Sequence, residues 1–176
     1  FDQIRQLLKT KCLSTLGEER VESMDFSDSY DEINRRLEQV TEFVRIIQEE
    51  DDFPSQYFFD VRPSLKRIRV EGMYMDEQEL FDLRRSLETI RDIVRFLQQT
   101  DDELADNDEV YSPYPALYEL AGDIMVFPQL ITRINNILDK FGKIKDNASP
   151  ELLRIRRELA STTGSISRSL NNILRM

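Results

Sequence analysis

Arg154, Arg157 and Arg168 are the side chains in this sequence with the clearest capacity to hold a ligand. Their spacings of 3 and 11 residues lie near whole turns of a 3.6-residue helix, so one face presents all three. Guanidinium groups in such a row contact phosphate oxygens, which fixes position along a nucleic acid without reading a base. The same residues also admit a plainer role. Arg154 follows Glu151 by three positions and Arg157 directly precedes Glu158, as on a solvated helix face with weak ion pairs.

Little else in the sequence is equipped for catalysis. Histidine is absent, which removes the commonest general base, the Ser-His-Asp arrangement and the Glu-x-x-His box of di-iron bundles. One cysteine, Cys12, cannot build a zinc site or an internal disulfide. The acidic runs Glu49-Glu50-Asp51-Asp52 and Asp101-Asp102-Glu103 lack the spaced oxygens and glycine of a calcium loop and read as solvated surface. Gly142-Lys143 resembles the end of a phosphate loop, but Ile144 stands where a magnesium-binding Ser or Thr belongs, and Ile137 replaces the earlier glycine. No catalytic, cofactor or metal residue is therefore assigned within the chain.

Charge is unevenly spread. Against 24 Lys and Arg stand 34 Asp and Glu, a net charge of −10 that argues against an anionic partner for the chain as a whole. Residues 141–176 reverse this, with seven basic residues against Asp146, Glu151 and Glu158. The lone cysteine and the lack of a charged-then-apolar leader predict a cytoplasmic protein, and no run of about 18 uncharged apolar residues is present to span a membrane. Asn147-Ala148-Ser149 fits a glycosylation acceptor by pattern and reads instead as a helix cap.

The elements that must position these residues are helical throughout. Phe1, Ile4, Leu7 and Leu8 form one face, a break falls near residues 12 to 15, and Ser14 with Thr15 caps a second helix carrying Val21 and Met24. Ser29-Tyr30-Asp31-Glu32 reads as a capping box before the stripe Ile33, Leu37, Val40, Val44 and Ile47. A short helix after Asp60 turns Val61, Leu65 and Ile68 inward and ends at Gly72. Asp76 and Glu79 open a longer one with Leu80, Leu83, Leu87, Ile90, Val94 and Leu97. Each such stripe needs a covering partner.

The segment QQTDDELADNDEV reads as a solvated loop, and Pro113, Pro115 and Pro128 punctuate the stretch beyond it. A helix from Leu130 carries Ile134, Ile137, Leu138 and Phe141 and closes at Gly142. Ser149 as cap and Pro150 at the first position then start a terminal helix with Leu152, Ile155, Leu159, Ile166, Leu170 and Ile173 on one side. It has no stop signal before Met176. The small polar run around Gly164 predicts a bend or a close helix contact.

Three blocks in order resemble the MutS family of DNA-repair ATPases. Thr15, Gly17, Arg20, Ile33, Arg36, Leu37 and Val40 occupy the places of the pattern that opens the family's core domain. Asp60, Leu65, Arg67, Ile68, Leu83, Ser86 and Leu87 carry the next block. The stretch GKIKDNASPELLRIRREL is the specific one, and looks most like the second bacterial MutS family (MutS-two), the paralogue bearing an Smr nuclease domain. Gly142, Asp146, Ala148, Ser149, Pro150, Glu151, Leu152, Ile155 and Arg156 agree with it position by position.

That resemblance implies an all-α fold, an irregular helical bundle ending in a long helix. Residues 1–148 would form the first half of a core domain, and 149–176 the start of a lever rising toward a nucleic-acid clamp. A chain that starts at the core, with no mismatch-reading segment before it, is the MutS-two arrangement. The parent would be a DNA-dependent ATPase, using ATP and Mg and linked to an Smr endonuclease. Its implied roles are action on branched or recombining DNA, suppression of recombination and, in some members, action on stalled ribosomes. The competing reading is an acidic helical adaptor that binds partner proteins and has no nucleic-acid role. Exposed apolar residues such as Ile155, Leu159 and Ile166 predict self-association into a homodimer through the terminal helix.

Overall fold

The computed structural model describes residues 1–99 and 112–174. Among these residues the chain forms eight helices and no β-sheet, the all-α architecture that the spacing of apolar residues predicts. The loop expected over residues 98–110 lies almost wholly outside the described residues.

The organising element is α5, Glu77–Leu97. Its start is fixed by a complete capping box: the Asp76 carboxylate accepts the Glu79 amide at 2.8 Å, and the Glu79 carboxylate accepts the Asp76 amide at 3.0 Å. The helix is long enough to serve two apolar clusters. Near its start, Phe81 and Leu83 pack with Ile134 and Leu138; near its end, Leu97 packs with Ile46, Tyr114, Leu117 and Ala121. Ile134 and Leu138 are 2% and 1% exposed, and each such burial stabilises by about 1.5–3 kcal/mol.

Helices α6, Pro115–Ala121, and α7, Pro128–Ile137, both begin on proline, whose missing amide is one of the orphans of a first turn. Both lie against α5, α7 near its start and α6 near its end. Leu138 and Ile144 form an isolated antiparallel bridge just past α7. The helix expected to run through Phe141 thus stops at Ile137, because the Asp139 carboxylate captures the amides of Phe141 at 2.8 Å and Lys143 at 2.9 Å. Leu138 is buried as expected, but from extended backbone, and Phe141 projects into solvent. Gly142 takes its positive φ of 81° inside this hairpin rather than as a helix stop.

At the N-terminus α1, Asp2–Lys9, and α2, Thr15–Glu22, pack as a pair, with Ser14 capping α2 through the Gly17 amide at 3.3 Å. Helix α3, Tyr30–Glu49, starts at Ser29, which accepts the Glu32 amide. The other half of the expected box is missing, since the Glu32 carboxylate is held by Ser27 and Arg36 instead. Helix α4, Arg62–Arg67, is shorter than expected, ends five residues before Gly72, and leaves Leu65 and Ile68 at the surface.

One expectation fails instructively. The α3 stripe of Ile33, Leu37, Val40, Val44 and Ile47 is exposed throughout. Helix α3 meets α6 through its other side, where Ile46 is fully buried and the Glu42 carboxylate accepts the Ala116 and Leu117 amides at 3.0 and 2.9 Å. Those amides are orphan donors of the first turn of α6, so an acidic side chain, not the apolar stripe, sets the packing.

Candidate nucleic-acid interface

The candidate interface lies on α8, Pro150–Ile173, whose Ser149 hydroxyl accepts the Leu152 amide at 3.1 Å as the sequence predicts. Its first turns are tied to the hairpin by Arg156, which donates to the Ile144 carbonyl at 3.1 Å and pairs with Asp146. The hairpin is tied in turn to the head of α5, where Glu77 accepts from Lys143 at 3.1 Å and from the Ile144 amide at 3.4 Å. Both contacts, the Lys143 hydrogen bond foremost, hold the Glu77 carboxyl below its ordinary range. The base of α8 is therefore anchored to the core through Arg156, Ile144 and Glu77 in series.

Beyond that anchor no helix lies along α8 among the described residues, and Ile155, Leu159, Ile166, Leu170 and Ile173 are all exposed. Among the described residues no atom outside the helix's own adjacent backbone comes within 4 Å of where a Cβ on Gly164 would sit, and the helix runs unbroken through that glycine.

The three arginines share one side of this helix, opposite the apolar stripe, but differ in company. Arg154 is bracketed by Glu151 and Glu158, each at 2.6 Å, so its charge is locally balanced. Those bonds, the Glu151 one first, raise the Arg154 pKa, and the Arg154 bond lowers that of Glu151. Arg157 is exposed and has no ion pair among the described residues. Arg168 is also exposed, with Nε donating to the Gly164 carbonyl at 3.2 Å and no carboxylate in reach among the described residues. The basic face thus offers two uncompensated cations, about 16 Å apart along the axis at 1.5 Å per residue.

Sequence reasoning missed Arg84. It sits between Leu83 and Ser86 on the inner side of α5 and is 7% exposed. Its signal was present: four residues after Leu80 and three before Leu87, Arg84 falls within the apolar stripe itself.

No protein-family model matches the chain. It is similar to proteins named Endonuclease MutS2. The protein of that name from Geobacillus sp. (strain WCH70) is 27% identical over 175 residues, 99% of this chain and 21% of the relative. The one from Alkaliphilus oremlandii (strain OhILAs) is 28% identical over 174 residues, with the same coverage. The one from Latilactobacillus sakei subsp. sakei (strain 23K) is 31% identical over 167 residues, 94% of this chain and 20% of the relative. The chain spans about a fifth of the length of the curated relatives it matches. Similarity therefore runs along nearly the whole chain but to one segment of each relative.

Proposed function

We propose that this chain is the core-and-lever segment of a MutS-type DNA-binding ATPase, residues 1–148 forming the first half of the core and residues 149–176 the start of the lever. Its work is mechanical: α8 transmits nucleotide state between an ATPase, served by ATP and Mg outside this segment, and a clamp that closes on nucleic acid. Branched or recombining DNA, or a stalled ribosome, is the target, and suppression of recombination the outcome. Endonuclease activity belongs to the rest of the protein.

The observation that carries this reading is a similarity covering 99% of the chain to a segment of proteins named Endonuclease MutS2. The geometry supports it. A helix of 24 residues, anchored at one end through Arg156 and with no helix along it beyond that anchor among the described residues, has the form of a lever. Arg154, Arg157 and Arg168 face the phosphates in this reading, Arg157 and Arg168 with no ion pair to break among the described residues and Arg154 exchanging its carboxylates for phosphate.

The competing reading, an acidic adaptor for partner proteins, draws on the exposed α3 stripe and the net charge of −10. Reading the coding sequence past Met176 separates the two. A clamp-sized helical insertion followed by G-x-x-x-x-G-K-[ST] is expected; a stop codon shortly after Met176 overturns the ATPase reading and leaves the adaptor.

A further inference from the structure

We propose that the cavity between α5, the α7 hairpin and the loop over residues 51–57 is a binding site for a small oxyanion, a single phosphoryl or carboxylate group, received by Arg84 and Arg85. The starting observation is a buried cation with no carboxylate in contact among the described residues. Arg84 is 7% exposed, and Nη1 donates to the Asn135 side-chain oxygen at 3.2 Å and to the Asp139 carbonyl at 2.8 Å, both neutral acceptors. Its Nε is enclosed and has no acceptor among the described residues. No carboxylate lies within 4.0 Å of the guanidinium among the described residues. Arginine does not shed its proton to relieve such a position, and a buried charge is costly unless paired and hydrogen-bonded.

Asp139, whose carbonyl Arg84 meets, does not fill the gap with its carboxylate. The Asp139 carboxylate spends its hydrogen bonds on the Lys143 and Phe141 amides, which depress its pKa first, with Arg84 and Lys145 acting on it only through space. The guanidinium instead lies 4.7 Å from the centre of the Phe81 ring, an arrangement that orients it without neutralising it.

The cavity beside it measures about 860 Å³ and is lined by Arg84, Arg85, Lys140 and Lys145 among its basic residues. The Arg85 guanidinium carbon lies 4.1 Å from the centre of the Tyr57 ring and 4.4 Å from that of Phe81, so two aromatic rings hold its fork in place before any ligand arrives. Tyr57 carries φ of 66°, among the described residues the only non-glycine in the left-handed region. Thr89, donating to the Gln56 carbonyl at 2.8 Å, straps that strained loop onto α5. Backbone strain held in place by its surroundings is common where a ligand is clamped. Five acids, Asp51, Asp52, Glu88, Asp92 and Asp139, line the same cavity. They repel a polyanion such as a nucleic-acid backbone and leave room for one anionic group among hydrogen-bonding neighbours.

The test tracks the arginine Nε–H resonances of the 15N-labelled chain while inorganic phosphate, acetate or chloride is added at constant ionic strength. Expected is a saturable shift of the Arg84 Nε–H signal with phosphate or acetate, half-complete near about 1 mM, and no saturation with chloride. Saturation by phosphate alone identifies a phosphoryl site, and by acetate alone a carboxylate site. Because Arg84→Met removes a buried, hydrogen-bonded group and endangers folding, the variant to use is Arg85→Gln, checked by circular dichroism; it is expected to weaken the response about tenfold, near 1.4 kcal/mol. A response to phosphate and acetate that stays linear to about 20 mM and matches chloride, or one unchanged in Arg85→Gln, overturns the proposal.

Discussion

Gly142 presses directly on the ring of Phe81: a Cβ added to the glycine would lie 2.7 Å from Cγ of the phenylalanine. The contact locks the hairpin after α7 onto the first turns of α5, and with it the base of α8. Gly142 also holds φ of 81°, a conformation that disfavours any side chain. Gly142→Ala therefore carries two separate costs, about 1–2 kcal/mol from the backbone and about 1–3 from displacing a buried ring. A urea midpoint lower by the corresponding amount is expected at unchanged slope; Gly72→Ala, where the Cβ meets open space, should show the backbone cost alone.

Acid should loosen the same region. Arg67, then the Asp76 amide and the Ser64 hydroxyl, lower the Glu79 carboxyl to about 2. The folded state therefore binds this proton less readily than the unfolded chain, whose glutamates titrate near about 4.3. The stabilisation is complete above that value and is lost as pH falls from about 5 toward 2. Thermal melts across this window are expected to show a shallower decline for Glu79→Gln than for the parent chain. Parallel slopes would show that Glu79 contributes nothing to the acid sensitivity.

The helices were readable where local signals agree. Asp76 and Glu79 form the box their spacing predicts, and Ser149-Pro150 starts α8 as expected, because capping and periodicity act within a few residues. The errors lie where distant residues intervene. The stripe carries the expected helix to Phe141, four residues past its end at Ile137, because periodicity does not show that Asp139 captures two amides or that Glu77, far back in the chain, receives Lys143 and Ile144. The stripe on α3 marks a helix correctly but cannot say which side is covered, since Glu42 and Ile46 on the other side meet α6. For the interface, the helical face shared by Arg154, Arg157 and Arg168 was readable, whereas the double bracket on Arg154 depends on rotamers that spacing alone does not set. Arg84 was readable but passed over, an arginine standing within a stripe of leucines.

Self-association is the expected behaviour of a helix like α8. Leu159 and Ile166 are 66% and 55% exposed on the side away from the arginines, and covering such surface yields about 25 cal/mol per Å². We propose that a second copy covers it. Light scattering is expected to show mass rising toward the dimer near about 100 μM, the range of a small apolar interface. Leu159→Ser should return the chain to monomer without changing its circular dichroism. A strictly monomeric parent chain at that concentration would remove α8 as a dimer surface.

The basic face of α8 makes the most discriminating prediction. Each phosphate neutralised by a lysine or arginine releases condensed counterion, so log affinity for duplex DNA falls with log salt by about 0.9 per contact. Among the described residues Arg157 and Arg168 have no carboxylate to give up, whereas Arg154 must exchange Glu151 and Glu158 for phosphate. Losing the two free cations should therefore matter more than losing the bracketed one. The double variant Arg157→Gln with Arg168→Gln is expected to weaken binding to branched DNA and to flatten the salt slope by about 1.8, while Arg154→Gln changes the slope by less than about 0.9. The substitutions lie on the exposed side of the helix and leave its cap and its Arg156 anchor intact. Binding that is absent in the parent chain, or equally salt-dependent in the double variant, would favour the acidic-adaptor reading, in which α8 meets protein rather than phosphate.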